Sequence, residues 1–342
     1  MYRKKVTVIV PCRNEEDYIE ETIMNIIHQD YPNIELIIID GESSDKTTDI
    51  ILQLARTHPA IRYYNNPHKT VSFALNLGIQ QSTGEIIIRM DSHSLYPANY
   101  ISELVKHLIE FKVDNVGGVC VTHPGNSTNK ALAISEATSN IFGIGNSSFR
   151  LKTEAIKEVD TVPFGCYNRE LFNRIGMFDE ELIRNQDDEF NGRVIKNGGH
   201  ILLIPSIKIE YFARTTFLKV SKMFYQYGLF KPLVTKKLGN PTSIRQFFPV
   251  VFLFVLALAP VAYLLNFELF MADLGIVSIY LVLNLFFSMR IAISNRNIGL
   301  FFYMPLTFLI IHLSYGFGYL YGFIRFIIFR QTISNNQIKL SR

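Results

Sequence analysis

The sequence predicts an α/β domain with a parallel sheet, followed by a helical region that spans a membrane. Short apolar runs alternate with segments of helical periodicity over residues 6–90, which is typical of a parallel sheet covered on both faces. Acidic residues follow two of the apolar runs, at the strand ends where such sheets bind ligands. From Phe247 onward the chain is almost continuously apolar, with few charges.

The first half of the chain gives the regular part of this pattern. The expected strands are residues 6–11, 34–39, 61–64 and 84–90, and the expected helices are 15–28, a segment that starts near Ser44 and includes Leu54, and 71–81. The first helix, for example, places Ile19, Ile23 and Ile26 on one face. Asp40 and Asp91 stand at the carboxyl ends of the second and fourth strands, so we expect both at one edge of the sheet.

The second half is less regular. The expected strands are residues 115–121 and 159–164, the expected helices are 130–142, 169–175 and 189–197, and a Gly/Ser/Asn-rich stretch at 143–148 is expected to be a flexible loop. Asp187 comes just before the last of these helices, so the pattern places it in a loop that leads into that helix.

Composition and charge exclude several classes of protein. The chain has 342 residues, of which 48% are hydrophobic, and its mean hydropathy is positive, which is too apolar for an ordinary soluble enzyme. The net charge of +4 is mild and no basic patch is evident, so we expect no nucleic-acid partner. The cysteines are far apart without metal-ligand spacing, which favours buried thiols in a reducing compartment. They are Cys12, Cys120 and Cys166.

Two domains are expected: an α/β domain over residues 1–235, which ends in an amphipathic segment at about 215–235, and a membrane region over residues 247–329. The membrane region contains three apolar segments, 247–267, 274–293 and 300–329. A helix needs ~20 apolar residues to span the bilayer, so the first two each fit one crossing. The third is longer than one span and too short for two, which leaves the number of spans and the side of the C-terminus open. The alternative is a buried soluble helical bundle, although such long apolar runs are rare in soluble domains.

The residues that flank the apolar segments predict an orientation. Positive residues precede the first segment, as they do on the cytoplasmic side of a membrane. They are Lys231, Lys236, Lys237 and Arg245. The N-terminus runs directly into a strand and has no apolar signal-peptide core, so we expect the first domain in the cytoplasm. These features predict a multi-pass membrane protein whose α/β domain faces the cytoplasm.

Asp40 and Asp45 flank a Gly/Ser turn after the second strand. Because Asp40 closes a buried strand, its carboxylate can point into the cleft and accept a hydrogen bond from a uracil N–H or a ribose hydroxyl. Asp45 is either a second contact in this cleft or simply a cap of the next helix, a position where Asp is common.

Asp91-Ser92-His93 ends the fourth strand and is the candidate metal site. Residues one apart on an extended segment present their side chains to the same side, so Asp91 and His93 can hold one cation. Such a cation would bridge the two phosphates of a nucleotide diphosphate. Oxygen ligands suit Mg²⁺ or Mn²⁺, and the imidazole favours Mn²⁺. The alternative is that His93 is an ordinary loop residue.

Asp187 is the candidate general base, which would take a proton from an acceptor hydroxyl as that oxygen attacks a sugar carbon. Its neighbours Asp188 and Glu189 are interpreted as charges that favour the start of a helix, and the alternative for Asp187 is the same structural role.

The amphipathic segment before the membrane region carries further candidates. Arg214, Gln226 and Lys231 are candidates for contact with a leaving diphosphate or with an acceptor. The apolar face of the segment is expected to rest in the lipid interface. A plain membrane-surface role for these residues is the alternative.

These residues, in this order, resemble glycosyltransferase family 2, an inverting family with the GT-A nucleotide-sugar fold. The matching positions are Pro11, Asn14, Glu15, Asp40, Ser43, Asp45, Ala74, Asn76, Gly78, Asp91 and Asp187. The resemblance implies a Rossmann-like GT-A domain in which Asp40 binds the uridine and Asp187 is the base. It also implies that Asp91 and His93 bind the metal. The nucleotide-sugar contacts expected on this basis are Pro11, Asn14, Glu15, Asp40, Ser43, Asp45, Lys69, Asn76 and Asp91.

Finer details resemble the bacterial exopolysaccharide branch of the family, typified by the succinoglycan glucosyltransferases. They are the segments 89–93 with 96–97, 117–118, 143–147, 160–162 with 164–165, 185–189 and 226–228. The chain departs from the family pattern at three places. His93 stands in place of the second metal-binding acid, Gln186 in place of a common Glu, and Glu210 where a His often follows the last strand. The chain has no Trp, and hence no Gln-x-x-Arg-Trp motif of the processive synthases, which indicates addition of single sugars.

The resemblance therefore implies an inverting transferase that moves a hexose, glucose from UDP-glucose, to a lipid-linked oligosaccharide in bacterial exopolysaccharide or cell-surface polysaccharide synthesis. It implies a divalent cation, Mn²⁺ or Mg²⁺, a place in the bacterial inner membrane, and other polysaccharide-assembly proteins as partners. A polyprenyl-phosphate sugar synthase and a non-catalytic membrane scaffold of a polysaccharide assembly complex are the alternatives. A dehydrogenase is disfavoured because no Gly-x-Gly-x-x-Gly follows the first strand.

Overall fold

The computed structural model describes residues 4–92, 94–151 and 153–331. These residues form two compact units, one of residues 4–121 and 153–211 and the other of residues 122–151 and 212–331. Each unit therefore draws on two separate stretches of the chain. The domain limits expected from the sequence are 1–235 and 247–329. They were placed where the hydropathy of the sequence changes, whereas the two units are defined by contacts, so these limits stay predictions.

Strands and helices alternate over the first third of the chain. The strands are β1 (Val6–Cys12), β2 (Ile34–Asp40), β3 (Ile61–Asn65), β4 (Ile86–Arg89), β5 (Ser94–Leu95), β6 (Asn115–His123), β7 (Lys157–Glu158), β8 (Cys166–Asn168) and β9 (Ile201–Phe212). The helices are α1 (Ile19–Ile27), α2 (Thr47–Thr57), α3 (Val71–Gln81), α4 (Tyr100–Glu110), α5 (Asn129–Ala137), α6 (Ile141–Ile144), α7 (Arg169–Ile175), α8 (Gln186–Lys196), α9 (Phe217–Leu238), α10 (Phe248–Leu265), α11 (Phe267–Ser294) and α12 (Leu300–Phe323). There are also 3-10 turns at Ser148–Arg150 and Ile244–Phe247 and a π-helical turn at Ile324–Ile328.

One sheet carries the strands of the described residues, in the order β3-β2-β1-β4-β8-β6-β9-β5, with β7 paired to β9. The neighbours β3, β2, β1 and β4 run parallel, whereas β8 is antiparallel to both β4 and β6. Both β1 and β4 are buried along their whole length, as their apolar runs predicted. The α/β fold is confirmed, with a sheet that is parallel over β3, β2, β1 and β4 and mixed beyond β4. Strands β1 and β2 end together, with Cys12 opposite Asp40. The three cysteines are free and buried, as predicted.

Helix α8 begins earlier than the sequence pattern predicted. It starts at Gln186, so Asp187 lies in the first helical turn and not in a loop. Asn185 precedes the helix with a φ of 60°, a left-handed conformation that Asn adopts more readily than most residues. The acidic residues that follow are favoured in a first turn by the helix dipole. Because this turn is mostly charged, it shows little of the apolar periodicity on which the prediction relied.

The predicted strand at 159–164 is irregular in the structure. Pro163 has no N–H to donate to a neighbouring strand. Val162 packs over Gly117, where an added Cβ would lie 2.5 Å from Val162 Cβ. The segment therefore crosses the face of β6 as a packed loop.

The predicted helix at 130–142 is split into α5 and α6. Helix α5 ends at Ala137. Asn140 caps α6, because its side chain accepts a hydrogen bond from the Phe142 N–H at 2.9 Å. Of the stretch 143–148, expected to be a loop, residues 143–144 end α6, residues 145–147 are irregular and Ser148 begins a 3-10 turn. Helix α4 was not predicted.

The described part of the second unit contains three helices that are long and apolar enough to cross a membrane. They are Ile244–Leu265, Phe267–Ser294 and Leu300–Ile328. The three predicted apolar segments are therefore helices, and the long third segment forms one continuous helix. The second helix begins earlier than expected because the Asn266 side chain accepts hydrogen bonds from the Glu268 and Leu269 N–H groups and caps it.

Helices α9 and α12 pack with their backbones in contact. If Gly228 of α9 had a Cβ, that atom would lie 2.1 Å from the Tyr315 carbonyl oxygen of α12. If Gly318 of α12 had one, it would lie 2.1 Å from the Tyr225 carbonyl oxygen of α9. Small residues at such crossings let two helices approach closely. The apolar face of α9, which the sequence assigned to the lipid interface, is packed in this unit's core at Phe224. The lipid interface was expected because hydropathy shows that α9 has an apolar face, but it does not show that glycines allow another helix to pack closely against α9.

Helices α5 and α6 pack on the apolar helices of the same unit. Helix α5 contributes to a buried cluster that includes Phe308 of α12. The ring of Phe142 lies 5.1 Å from the ring of Phe287 and 5.0 Å from that of Phe308, between centroids. His312 Nε2 lies 2.8 Å from the Phe142 carbonyl oxygen. The stretch 122–151 is thus held by side chains from much later in the sequence.

Candidate active site

Asp40 closes β2, and its carboxylate is held by the loop and helix that follow. It accepts hydrogen bonds from Ser43 Oγ at 2.5 Å and from Thr48 Oγ1 at 2.6 Å. The Ser43 N–H also donates to it, at 3.2 Å. Asp40 is only 1% exposed, and a buried carboxylate needs such donors. This geometry gives Asp40 a structural task, and its contact with a nucleotide stays a prediction.

The loops after β1 and β2 are tied together by hydrogen bonds. The Asn14 N–H donates to Ser43 Oγ at 2.8 Å, and the Ser44 N–H donates to Asn14 Oδ1 at 2.8 Å. The Glu15 N–H donates to Thr47 Oγ1 at 2.7 Å. Positions that carry the family resemblance therefore fix the shape of the carboxyl edge of the sheet, where a ligand of a parallel sheet binds.

Asp45 and Pro11 lie at the same edge. Asp45 accepts a hydrogen bond from the Thr47 N–H at 3.0 Å and so satisfies the first turn of α2, as the capping alternative expected. Burial by itself would raise the pKa of Asp45, but the hydrogen bonds from Thr47 lower it overall. Pro11 lies within β1, opposite Ile39. The nucleotide contacts of both residues stay predictions.

Lys69 and Asn76 have protein partners in the structure. Lys69 pairs with Glu42, with 2.7 Å between Nζ and Oε2. The Asn76 side chain is buried, donates to the Phe178 carbonyl oxygen and to Glu180 Oε1 at 2.9 Å each, and accepts from the Phe178 N–H at 3.0 Å. Asn76 therefore anchors the chain around Phe178, and its role as a nucleotide contact stays a prediction.

Arg89, the last residue of β4, joins Asp91 to Asp187. Its Nε and Nη2 donate to the two carboxylate oxygens of Asp91 at 2.8 and 3.0 Å, and its Nη1 donates to Asp187 Oδ1 at 2.6 Å. The Arg89 side chain is 9% exposed, whereas those of Asp91 and Asp187 are 15% and 34% exposed. Two carboxylates far apart in the sequence thus share one buried guanidinium, and part of each carboxylate side chain is exposed.

Helix α8 is fixed to the sheet just beyond Asp187. Phe190 is fully buried and stacks on Phe178, with ring centroids 4.5 Å apart. Asn191 accepts a hydrogen bond from Asn115 Nδ2 and donates to Thr161 Oγ1, both at 2.8 Å. These contacts come one turn after Asp187, so they limit where its carboxylate can move.

The charges in this cluster shift one another's pKa. Burial raises the pKa of the Asp187 carboxyl, Arg89 opposes this, and the charges of Asp91 and Asp188 add to the rise. Burial alone would lower the pKa of Arg89, but the carboxylates of Asp187 and Asp91 raise it, so the guanidinium stays charged. A carboxylate whose pKa is raised takes up a proton more readily, which suits a general base.

The three predicted acidic positions lie along one edge of the sheet. Asp40 ends β2, and β1 separates that strand from β4, which precedes Asp91. With neighbouring strands about 4.8 Å apart, the two strand ends are about 10 Å from each other. Asp187 reaches the same edge through its contact with Arg89.

The predicted metal site consists of Asp91 and His93. His93 lies outside the described residues, so only the Asp91 part of the site can be compared with the structure. Among the residues that the structure describes, no group of three or more His, Cys, Asp or Glu side chains could hold a metal ion. Mg²⁺ at a diphosphate is usually held by one or two protein carboxylates plus phosphate oxygens and water, so such a group is not required. Both Asp91 oxygens are held by Arg89, and carboxylate oxygens are the ligands that such a cation prefers. The donor chemistry therefore fits, and His93 as a ligand stays a prediction.

Arg214, Gln226 and Lys231 belong to the second unit. Gln226 and Lys231 are buried within α9, at 2% and 9% exposure, and Arg214 is exposed shortly before it. Their contact with a diphosphate or an acceptor stays a prediction.

Arg89 had no role in the expectations from the sequence, although the sequence contains a signal for it. Arg ends an otherwise apolar strand there, and Arg is rarely buried unless it is paired. Thr48, which holds Asp40, was also missed. Tyr96 carries part of the resemblance but had no role in the expectations, and its Oη accepts from the Asp91 N–H at 2.7 Å. A hydroxyl on a helix or loop is too common to be singled out by pattern.

Comparison with known proteins identifies relatives whose similarity extends over both the sheet and the apolar helices. Residues 7–176 match the profile of the family described as Glycosyl transferase family 2. The chain is 29% identical over 330 residues to dolichyl N-acetyl-alpha-D-glucosaminyl phosphate 3-beta-D-2,3-diacetamido-2,3-dideoxy-beta-D-glucuronosyltransferase of Methanococcus voltae, covering 94% of this chain and 97% of that protein. It is 26% identical over 260 residues to succinoglycan biosynthesis protein ExoA of Rhizobium meliloti (strain 1021), covering 75% and 76%.

Among solved structures, the chain is similar to mannosyltransferase PcManGT from Pyrobaculum calidifontis in complex with GDP-Man and Mn2+. The TM-score is 0.60 and the identity is 21%, over 94% of this chain and 88% of that one. At this identity the likeness concerns the fold. It confirms the predicted GT-A Rossmann-like architecture followed by apolar helices.

Proposed function

Because the chain belongs to glycosyltransferase family 2, we propose that it transfers a sugar from a nucleotide-sugar donor to a lipid-linked saccharide. The observation that carries the residue assignment is the contact of Arg89 with both Asp91 and Asp187. This contact joins a carboxylate that suits a cation on the donor phosphates to one that suits proton transfer from an acceptor.

The proposed acceptor is supported by the relatives and by the apolar helices. The name of the Methanococcus voltae relative includes a dolichyl sugar phosphate, and that of the Rhizobium meliloti relative includes succinoglycan biosynthesis. Three helices long enough to cross a membrane would keep the chain where such lipids are found. We infer a multi-pass protein of the cytoplasmic membrane of a bacterium, with the α/β unit on the cytoplasmic side.

The proposed donor is a UDP-hexose, with UDP-glucose first, as the succinoglycan branch implies. A nucleotide-activated uronic acid is the second choice, because the name of the Methanococcus voltae relative contains a glucuronosyl group. The absence of Trp, and with it of the processive-synthase motif, supports addition of one sugar at a time.

The proposed reaction is a single displacement with inversion. The acceptor hydroxyl oxygen attacks the anomeric carbon of the donor sugar, and the hydroxyl proton passes to Asp187. The bond from that carbon to the phosphate oxygen breaks, and its electron pair leaves with the nucleoside diphosphate. Arg89 holds Asp187 Oδ1 at 2.6 Å, which leaves Oδ2 for the incoming hydroxyl.

Asp91, with His93 by prediction, is the proposed ligand of a divalent cation, Mn²⁺ or Mg²⁺. When bound, the cation would stabilise the negative charge that collects on the departing diphosphate. The buried guanidinium of Arg89 contacts both oxygens of Asp91 and so holds the carboxylate in one orientation towards a cation.

The test uses the purified full-length chain in detergent. It is incubated with labelled UDP- and GDP-sugars, with Mn²⁺, Mg²⁺ or EDTA, and with polyprenyl-diphosphate-linked saccharide, dolichyl N-acetylglucosaminyl phosphate or polyprenyl phosphate. We expect labelled sugar on a lipid-linked saccharide, and EDTA should abolish the transfer.

Two other outcomes distinguish the alternatives. Transfer to polyprenyl phosphate alone would favour a polyprenyl-phosphate sugar synthase. Neither transfer nor donor hydrolysis with any donor would favour a non-catalytic scaffold of a polysaccharide assembly complex.

A further inference from the structure

Arg89 is held in an unusually defined position for a charged side chain. It follows Ile88 and precedes Met90, both fully buried, at the end of a buried strand. Its guanidinium lies over the ring of Phe164, 5.9 Å from the centroid. Each of its three side-chain nitrogens donates to a carboxylate oxygen, two to Asp91 and one to Asp187. Little freedom remains for this side chain.

We propose that Arg89 is a positioning residue that sets the placement of the Asp91 carboxylate relative to the Asp187 carboxylate, and so aligns the donor phosphates with the base. This inference rests on the proposed function. A rigid fork that contacts both groups converts two separate side chains into one unit of fixed geometry.

The geometry distinguishes this role from simple charge neutralisation. A lysine would supply the same charge as a single point, with no planar fork to hold both oxygens of Asp91 and one of Asp187. If Arg89 only balances buried negative charge, lysine should replace it well. If Arg89 positions the two carboxylates, lysine should fail in catalysis while the fold survives.

The test therefore begins with Arg89→Lys in the full-length chain. We expect kcat for sugar transfer to fall by about 100-fold, the loss typical of a misplaced reacting group, while the donor KM changes much less. Mn²⁺ binding in the presence of UDP, followed by electron paramagnetic resonance of the free ion, should weaken by about tenfold, because Asp91 loses its orienting partner.

The matched control is Arg62→Lys. Arg62 also pairs with a buried carboxylate of the same unit, Glu35, with 2.9 Å between Nη1 and Oε1. It lies on β3, away from the carboxyl edge that holds Asp91. The control should keep kcat and Mn²⁺ binding within about twofold of the wild type, whatever it does to thermal stability.

A second variant tests the role by chemical rescue. In Arg89→Ala, millimolar methylguanidinium should restore part of the lost kcat, and methylammonium at the same concentration should not. If Arg89→Ala does not fold, the lysine variant still decides the question through its kcat and its Mn²⁺ affinity.

Two results would overturn the inference: wild-type kcat in folded Arg89→Lys, or a loss of kcat that equals that of Arg62→Lys and follows the loss of thermal stability. Failure of the proposed function looks different, because the wild-type chain itself would then transfer no sugar.

Discussion

Replacing Glu35 by glutamine should lower the stability of the chain at neutral pH and remove part of its sensitivity to acid. Glu35 is 6% exposed and accepts hydrogen bonds from Thr7 Oγ1 at 2.6 Å and from the Thr83 N–H at 2.8 Å. Arg62 Nη1 donates to it at 2.9 Å. Burial alone would raise the pKa of Glu35, but these donors lower it from 4.5 to about 2.

The size and the pH range of the effect follow from that pKa. Because the folded-state pKa is below the unfolded value, the charge of Glu35 stabilises the fold fully above about pH 4.5, and this contribution is lost as the pH falls towards 2. A difference of about 2.5 pKa units corresponds to about 3 kcal/mol of unfolding free energy at pH 7. About 2 kcal/mol of this should be gone by pH 3.

The measurement is thermal unfolding of the purified full-length chain in detergent, followed by far-UV circular dichroism at pH 7 and pH 3. Glu35→Gln should unfold at a lower temperature than the wild type at pH 7, and the difference should narrow at pH 3. Glu85→Gln is the control: Glu85 is 59% exposed and lies 3.8 Å from Lys4, so its loss should change stability by less than about 0.5 kcal/mol. Equal melting of Glu35→Gln and wild type at pH 7, or a difference that does not narrow at pH 3, would refute this reasoning.

Three further predictions can be checked with the same preparation. Asp187→Asn should lower kcat by about 10²- to 10⁴-fold without unfolding the chain, as loss of a general base does. The control Asp49→Asn changes an exposed residue and should leave kcat unchanged. Equal activity of the two variants would contradict the assignment of Asp187 as the base. Gly318→Ala should destabilise the chain by about 1–3 kcal/mol, because its Cβ would lie 2.1 Å from the Tyr225 carbonyl oxygen. Gly275→Ala, with nothing within 4 Å, should be neutral or slightly stabilising, and a similar shift in melting temperature for both would count against the helix contact. The three buried cysteines should react with a thiol reagent only as the chain unfolds, and rapid labelling of the native protein would show that they are accessible.

The sequence predicted best where a physical pattern is local and repeated. Helices α3 and α7 have the limits that the pattern gave, since apolar periodicity and a terminating residue define both. The parallel strands followed from continuous apolar runs that only a sheet covered on both faces can bury. The shared edge of Asp40 and Asp91 followed in turn, because parallel strands end on the same side.

The sequence predicted less where a residue's role depends on partners far along the chain. No local pattern shows that Arg89 reaches Asp187. The helical position of Asp187 was missed because charge hides the period of a first turn. The close packing at Gly228 was missed because a helix contact made by backbone atoms leaves no apolar stripe to detect.

The composition of the second unit limits how this chain can be divided. Helices α5 and α6 belong to it, although they come from the middle of the sequence that otherwise builds the sheet. A fragment cut at residue 235 to obtain a soluble enzyme would keep Phe142 and lose Phe287 and Phe308, the aromatic side chains against which it rests. In such a fragment the apolar side chains of α5 and α6 that pack on the later helices would be exposed to solvent, which favours aggregation. Truncation at residue 235 is therefore a poor route to a catalytic fragment that crystallises.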